Sequence, residues 1–273
     1  MESSGAGDGG SFRAVPAGLD VTQPNQARVY DYFLGGKDNF EADRAVVREV
    51  TALAPVVADV APASRAFLRR VVRFLAAEAG IRQFLDIGSG IPTADSTHEL
   101  AQAVDPASRI VYVDNDPVVI AHARALVLSR PEGVVRCLQA DAREPAAIID
   151  AARHTLDLGQ PAAIVMIGIL NFIEGPGLVA AVLRALIAAL SPGSYLAIAQ
   201  PAPAEQWLAA QRRWNQLAPL PVWLRDREEV ASWLTGLSLV APGIVEVHQW
   251  RPDQGDPSYP RGIPVYGAVG RKS

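Results

Sequence analysis

Phe84-Leu85-Asp86-Ile87-Gly88-Ser89-Gly90-Ile91-Pro92 decides the fold. Phe84 to Ile87 reads as a short buried strand that carries one acid, Asp86, and runs into a Gly-x-Gly turn. Glycines let the backbone turn tightly and approach a ligand closely. A carboxylate at the end of that strand would repel a pyrophosphate and suits a cationic ligand. The dinucleotide fingerprint Gly-x-Gly-x-x-Gly needs a glycine at position 93, which holds Thr93. That substitution, with Asp86, counts against a nicotinamide-dependent oxidoreductase. An ordinary strand-to-helix turn is the bland alternative.

Downstream, strand and helix alternate. Ile110–Val113 reads as a second strand that ends in Asp114 and Asn115. An acid at this point is placed to accept the hydroxyls of a ribose, and Asn115 is placed to line its base; a surface loop acid is the alternative. Asp116 is better explained as the cap of a helix opened by Pro117. Val134–Leu138 is a third strand, followed by Asp141 and Ala142. Ala162–Ile169 is a fourth, containing Gly168 and followed by Asn171, which either orients a substrate or caps the strand. Ser194–Ala199 is a fifth. Leu237–Trp250 and Pro264–Gly270 close the chain with no helix between them. Parallel strands need crossover helices. The pattern therefore predicts an α/β fold, with a doubly wound, mostly parallel, seven-stranded sheet and an antiparallel C-terminal hairpin. Three acids at three successive strand ends fall on the carboxyl edge, where open α/β sheets bind ligands.

Upstream, residues 1–19 are rich in Gly and Ser and are expected to form a disordered tail. Residues 20–80 read as a helical extension and residues 81–273 as the ligand-binding domain. In the extension, Glu41–Val60 is a helix disturbed at Pro55, and Ser64 has the character of an N-cap for the next helix, whose apolar face is Phe67, Val71, Phe74 and Leu75. The polar loop Gly35-Gly36-Lys37-Asp38-Asn39 lies between the first two helices.

The chain from Pro24 to Lys272 resembles an actinobacterial family of S-adenosylmethionine (SAM)-dependent methyltransferases first catalogued as a domain of unknown function. The resemblance rests on Ala27-Arg28-Val29-Tyr30-Asp31-Tyr32-Phe33-Leu34-Gly35-Gly36-Lys37-Asp38-Asn39-Phe40, on Asp86 to Thr93, on Val113-Asp114, on Trp250-Arg251-Pro252 and on Tyr266 to Lys272. It implies a Rossmann-like class I methyltransferase with SAM as cofactor. It assigns Asp86, Gly88, Ser89, Gly90, Asp114, Asn115, Asp141, Ala142 and Gly168 to the cofactor, with Asp141 accepting from the adenine amino group. N-terminal extensions of such enzymes often close over the cofactor, so Tyr30, Lys37 and Asn39 are expected to form a lid; a plain helix-connecting turn is the alternative. Asn171 is expected at the acceptor pocket. Relatives are expected to carry His there, so no acid–base role passes to Asn171. Methyl transfer from a sulfonium mainly requires alignment and exclusion of water, and no catalytic residue is assigned. A non-catalytic SAM- or nucleotide-binding regulatory protein would show the same motifs.

Composition narrows the partners. The 273 residues carry a formal net charge of -4 and include two lysines, Lys37 and Lys272. No cationic cluster marks a nucleic-acid face, and a small-molecule acceptor is favoured. The start of the chain lacks the pattern of a signal peptide, and the longest apolar stretch, Leu178–Leu190, is broken by Arg184, so no membrane span is expected. The single cysteine, Cys137, fits a cytoplasmic protein. His98, His122, His154 and His248 are scattered without metal-ligand spacing, and no metal is expected.

Overall fold

The computed structural model describes residues 20–259 and 262–273. The tail expected over residues 1–19 lies outside them. The order of elements is α1 (Gln26–Phe33), α2 (Glu41–Leu53), α3 (Val57–Arg73), β1 (Gln83–Ile87), α4 (Thr97–Val104), β2 (Arg109–Asp114), α5 (Pro117–Leu126) and β3 (Val134–Gln139). It continues with α6 (Pro145–Ala152), β4 (Ala163–Ile167), α7 (Pro176–Ala189), β5 (Tyr195–Pro201), α8 (Glu205–Leu217), α9 (Arg227–Trp233), β6 (Leu237–Leu239), β7 (Val245–Glu246) and β8 (Val265–Lys272).

The sheet runs β3-β2-β1-β4-β5-β8-β6, with β7 pairing β8 off that path. Strands β1 to β5 are parallel, and β8 runs antiparallel to β5, β6 and β7. The sheet therefore has eight strands, where the sequence suggested seven. The stretch expected as one long closing strand is split. Pro242 and Gly243 (φ 88°) turn the chain out of the sheet after β6, and it returns for only two residues as β7. Chain order reverses between β1 and β4, which leaves a crevice at their carboxyl ends.

Alternation along β1 explains its mixed chemistry. Leu85 and Ile87 face one apolar layer, with Ile148, Val179 and Leu183. Phe84 faces the other, with Phe67, Val71 and Trp250. Side chains two apart share a face, so Asp86 lies on the α3 side. There α3 is one continuous helix through Pro62. Ser64 is consequently buried in mid-helix and does not cap it: the helix starts at Val57 because Pro55 ends the preceding one. Pro62 is the sixth residue of α3, so its missing N–H costs the helix the one bond that would reach the Ala58 carbonyl.

The first two helices are clamped by charge. Asp43 is fully buried. Its Oδ1 accepts from the Asn25 amide at 2.8 Å, and its Oδ2 from the Phe40 amide and Arg28 Nε, each at 2.8 Å. Arg28 donates further to the Asp20 and Gln23 carbonyls. Asn25 caps α1, and its Nδ2 donates to Asp116 Oδ2 at 2.6 Å while Asp116 Oδ1 caps α5. The start of the extension is thus bonded directly to the sheet's second crossover helix.

Candidate functional site

A cleft of about 1550 Å³, counted out to its open mouth, lies over the carboxyl ends of β1, β2 and β4. Its floor is Asp86, Gly88, Ser89, Gly90, Asp114, Asn115, Gly168 and Asn171. The sequence placed all eight at the site. Asp141 and Ala142 do not line it. Asp141 instead pairs with Arg143 at 2.5 Å, which holds its carboxyl below the usual range, and it accepts from Asn115, which does line the cleft.

The glycine turn is fixed by β2. Gly88 and Ser89 donate to the Val113 carbonyl at 2.8 and 3.2 Å. Gly90 donates to Asp114 Oδ2 at 3.0 Å, and the Asp116 amide to Asp114 Oδ1 at 3.0 Å. Gly88 has φ 79°, and an added Cβ would meet Ile169 Cβ at 2.5 Å, so no side chain fits there.

Asp86 is buried, and its Oδ2 accepts from Thr97 Oγ1 at 2.6 Å. Burial pushes its carboxyl up to about 6, against the lowering pull of Thr97 and Arg65, with Asp114 adding to the rise. Burial also raises Asp114. Two acids resisting ionisation beside a cleft suit a cationic, hydroxyl-rich ligand.

The roof comes from helices. Tyr30 of α1 lines the cleft, and its hydroxyl donates to the Ala61 carbonyl at 3.3 Å. Lys37 is exposed and does not line the cleft. Asn39 is occupied elsewhere: its Nδ2 donates to Asp31 Oδ2 and the Gly36 carbonyl at 3.2 and 3.0 Å. The expected lid therefore retains only Tyr30 at the cleft. The Gly-Gly-Lys-Asp-Asn loop wraps a buried Asp31 instead, and a Cβ at Gly36 would fall 1.9 Å from Asp31 Oδ1.

Sequence reasoning did not find Arg65. It lies one helical turn from Ala61, donates through Nη2 to the Thr93 and Ala94 carbonyls at 3.3 and 3.1 Å, and lines the cleft beside Asp86. Arg65 Nε and Ser89 Oγ are buried without hydrogen-bond partners. Buried polar atoms left unpaired are rare, and two of them on one cleft mark where a polar ligand belongs. Trp207 and Trp214 of α8 add aromatic wall. The histidines stay outside. His98, for example, is buried against Tyr112 Oη at 2.9 Å. Among the described residues no group of three or more His, Cys, Asp or Glu is placed to hold a metal ion.

The S-adenosyl methyltransferase family model matches residues 13–273. The chain belongs to that family. Its methyl donor is S-adenosylmethionine, and it is an enzyme of methyl transfer. Two crystal structures of actinobacterial proteins are similar along their whole length. One is a DUF574 family protein from Streptomyces avermitilis MA-4680, 41% identical over 93% of this chain and 99% of that one, with a TM-score of 0.89. The other, a candidate methyltransferase from Thermobifida fusca YX, is 41% identical over 94% and 98%, with a TM-score of 0.86. Magnesium protoporphyrin IX methyltransferase from Synechocystis PCC 6803, solved with bound S-adenosylhomocysteine (SAH), shares the fold at 14% identity and a TM-score of 0.54 over 91% of this chain and 100% of that one. No protein of curated function matches.

Proposed function

We propose that this methyltransferase acts on a small organic molecule, with the donor laid along the carboxyl edge of β1, β2 and β4. One observation carries the acceptor reading. The cleft continues past the glycine turn into a chamber walled by Phe33, Val60, Leu68, Phe172, Trp207 and Trp214. The donor's polar groups do not call for these apolar walls, which suit a second, largely apolar molecule beside it. An apolar-walled cleft in a protein of net charge -4 does not suit a polyanion.

The donor's polar groups match the floor. Asp114 sits where it would accept the ribose hydroxyls. Asn115, backed by Asp141 and Ala142, would meet the adenine edge. Asp86 would hold the ammonium, and Arg65 with Ser89 would take the carboxylate. Gly88, Gly90 and Gly168 leave room for close backbone approach. Bound there, the donor supplies a methyl group on a sulfonium with a good neutral leaving group. The protein's share is then to align the acceptor and exclude water. The helices of residues 20–80 serve as the cover, with Tyr30 as its contact. A cytoplasmic setting is supported by the lone cysteine and by the absence, among the described residues, of any helix long and apolar enough to cross a membrane.

Calorimetric titration with SAM and SAH tests the cofactor site. Both should bind with micromolar-range affinity, and Asp114→Ala should weaken both by at least about tenfold, since hydrogen bonds to a charged group contribute roughly 1.5–3 kcal/mol. Undiminished binding to the variant would remove Asp114 from the site. Absence of binding to folded wild type would remove the site itself.

A further inference from the structure

The acceptor end of the cleft has a definite chemistry, and the inference drawn from it rests on the small-molecule reading above. Among the described residues, the ionisable side chains that line the cleft are Tyr30, Arg65, Asp86 and Asp114. The two acids belong to the floor and are already bonded to Thr97 and to backbone amides. Burial pushes the Tyr30 phenol up to about 12, so it stays neutral. No His, Cys, Glu or Lys is in the lining. A hydroxyl acceptor needs a base to take its proton as the new bond forms, and the chamber offers none.

Anionic acceptors fare no better. A carboxylate or thiolate would lose its hydration in an apolar chamber. The one cation present, Arg65, faces Asp86 and donates to two carbonyls. A neutral amine needs neither base nor counter-ion. Its nitrogen carries an available lone pair, and an apolar site favours its uncharged form.

The remaining features match a nitrogen that becomes cationic. Trp214 and Phe172 stand with ring centroids 6.4 Å apart at the end of β4. The Trp207 and Trp214 N–H groups donate internally, to the Ala202 and Leu220 carbonyls at 2.8 Å each. Their rings therefore present carbon surface to the chamber, and aromatic faces attract cations. On the floor, Asn171, next in sequence to Phe172, lines the cleft with Oδ1 buried and unpartnered. An amide oxygen accepts from an N–H but does not remove its proton.

We propose that the acceptor is a small, flat, largely apolar amine whose uncharged nitrogen takes the methyl group, with Asn171 as the positioning residue and Trp214, Phe172 and Tyr30 as the faces that stabilise the cation formed. The nitrogen lone pair becomes the new N–C bond while the S–C bond breaks and its electron pair stays on sulfur. One positive charge moves from sulfur to nitrogen, and none is created or lost. A proton leaves nitrogen afterwards, to water, where the nitrogen still bears one.

The test uses the full chain loaded with SAH and three flat bicyclic probes at pH 8: N-methylisoquinolinium, the neutral 3-methylisoquinoline and the anionic 2-naphthoate. The cation should bind about tenfold more tightly than its neutral isostere, as expected for a desolvated cation–π site, and more tightly still than the anion. Trp214→Leu should erase the cation's advantage and leave SAH affinity unchanged. Should that variant fail to fold, Phe172→Leu serves the same purpose. Equal binding of cation and neutral probe, preference for the naphthoate, or binding of none of the three overturns the proposal. Loss of SAH binding in wild type would overturn the cofactor reading instead, so the two failures are separable.

Discussion

The floor and the roof of the cleft are built in opposite ways. The floor comes from short contiguous runs at strand ends: Asp86 to Gly90, Asp114-Asn115 and Gly168 to Asn171. Each run is polar or glycine-rich, and each is held by backbone hydrogen bonds. The roof is assembled from single residues at helical spacing. Ala61, Ser64, Arg65 and Leu68 form one such stripe on α3, and Trp207, Ala210, Gln211 and Trp214 another on α8. On the proposed reading the floor meets the unvarying donor, so a local motif suffices for it. The roof's position depends on how the extension is clamped to the rest, and that clamp is where the contrast is most easily broken.

Asp43→Ala should have the largest effect. It would leave Arg28, almost wholly buried, without its carboxylate, and it would free the Asn25 and Phe40 amides. Breaking one side of a buried pair costs about 3–5 kcal/mol. The melting temperature should fall by roughly 10 °C, at about 2–4 °C per kcal/mol for a chain of this size. If roof and floor are as separable as their construction suggests, any folded fraction should keep its glycine turn but lose donor affinity with the roof. Unchanged melting would mean that the Arg28–Asp43 clamp does not hold the extension.

The same contrast explains what was legible in the sequence. The strand-end residues could be placed from Asp86 to Asn171 because strand, acid and glycine are adjacent in the chain. Arg65 could not, because its stripe on α3 looks like any amphipathic face, and the neighbouring stripe of Phe67 and Val71 is in fact core. The spacing 57, 61, 64–65, 68 was the available signal; nothing in it separates a cleft-facing stripe from a buried one. Lys37 and Asn39 misled for a related reason. A Gly-Gly-Lys-Asp-Asn loop has the composition of a ligand-binding turn, but its polar groups close on Asp31, a contact that only the fold makes. The split of the closing strand into β6 and β7 needed weight on Pro242-Gly243, a pair of turn residues inside an otherwise strand-like run.

A second prediction acts on the floor, through pH. Burial raises the Asp86 carboxyl to about 6 from its ordinary 3.8. A raised folded value means that the protonated form is favoured on folding. That contribution is full below about 3.8 and is lost as pH rises through about 6. Asp86→Asn should therefore raise thermal stability at pH 8, by roughly 1–3 kcal/mol from the size of such a shift, and leave it near wild type at pH 4. Donor binding should run the other way. SAM affinity should weaken as pH falls through about 6 in wild type, because a protonated Asp86 no longer attracts an ammonium. In the asparagine variant SAM binding should be weak and flat across the same range. Equal stability changes at both pH values would show that burial does not govern this carboxyl.

The smallest expected effect is the sharpest check on where the roof ends. Lys37 belongs to the same loop as Asn39 and lies six residues beyond Asp31, yet it is exposed and outside the cleft lining. The loop's conformation is secured without it. Asp31 Oδ2 accepts from the Asp38 amide at 2.9 Å and from Asn39 Nδ2 at 3.2 Å, and the Gly36 amide donates to the Asp31 carbonyl at 2.9 Å. Lys37→Ala removes none of these bonds. Its stability should stay within the ±0.5 kcal/mol typical of surface substitutions, and its SAM affinity should be unchanged. A tenfold loss of SAM affinity at unchanged stability would place Lys37 over the donor after all, through closure of the loop onto the bound ligand. The roof would then extend from α1 into the polar loop, and Tyr30 would no longer be its outermost contact.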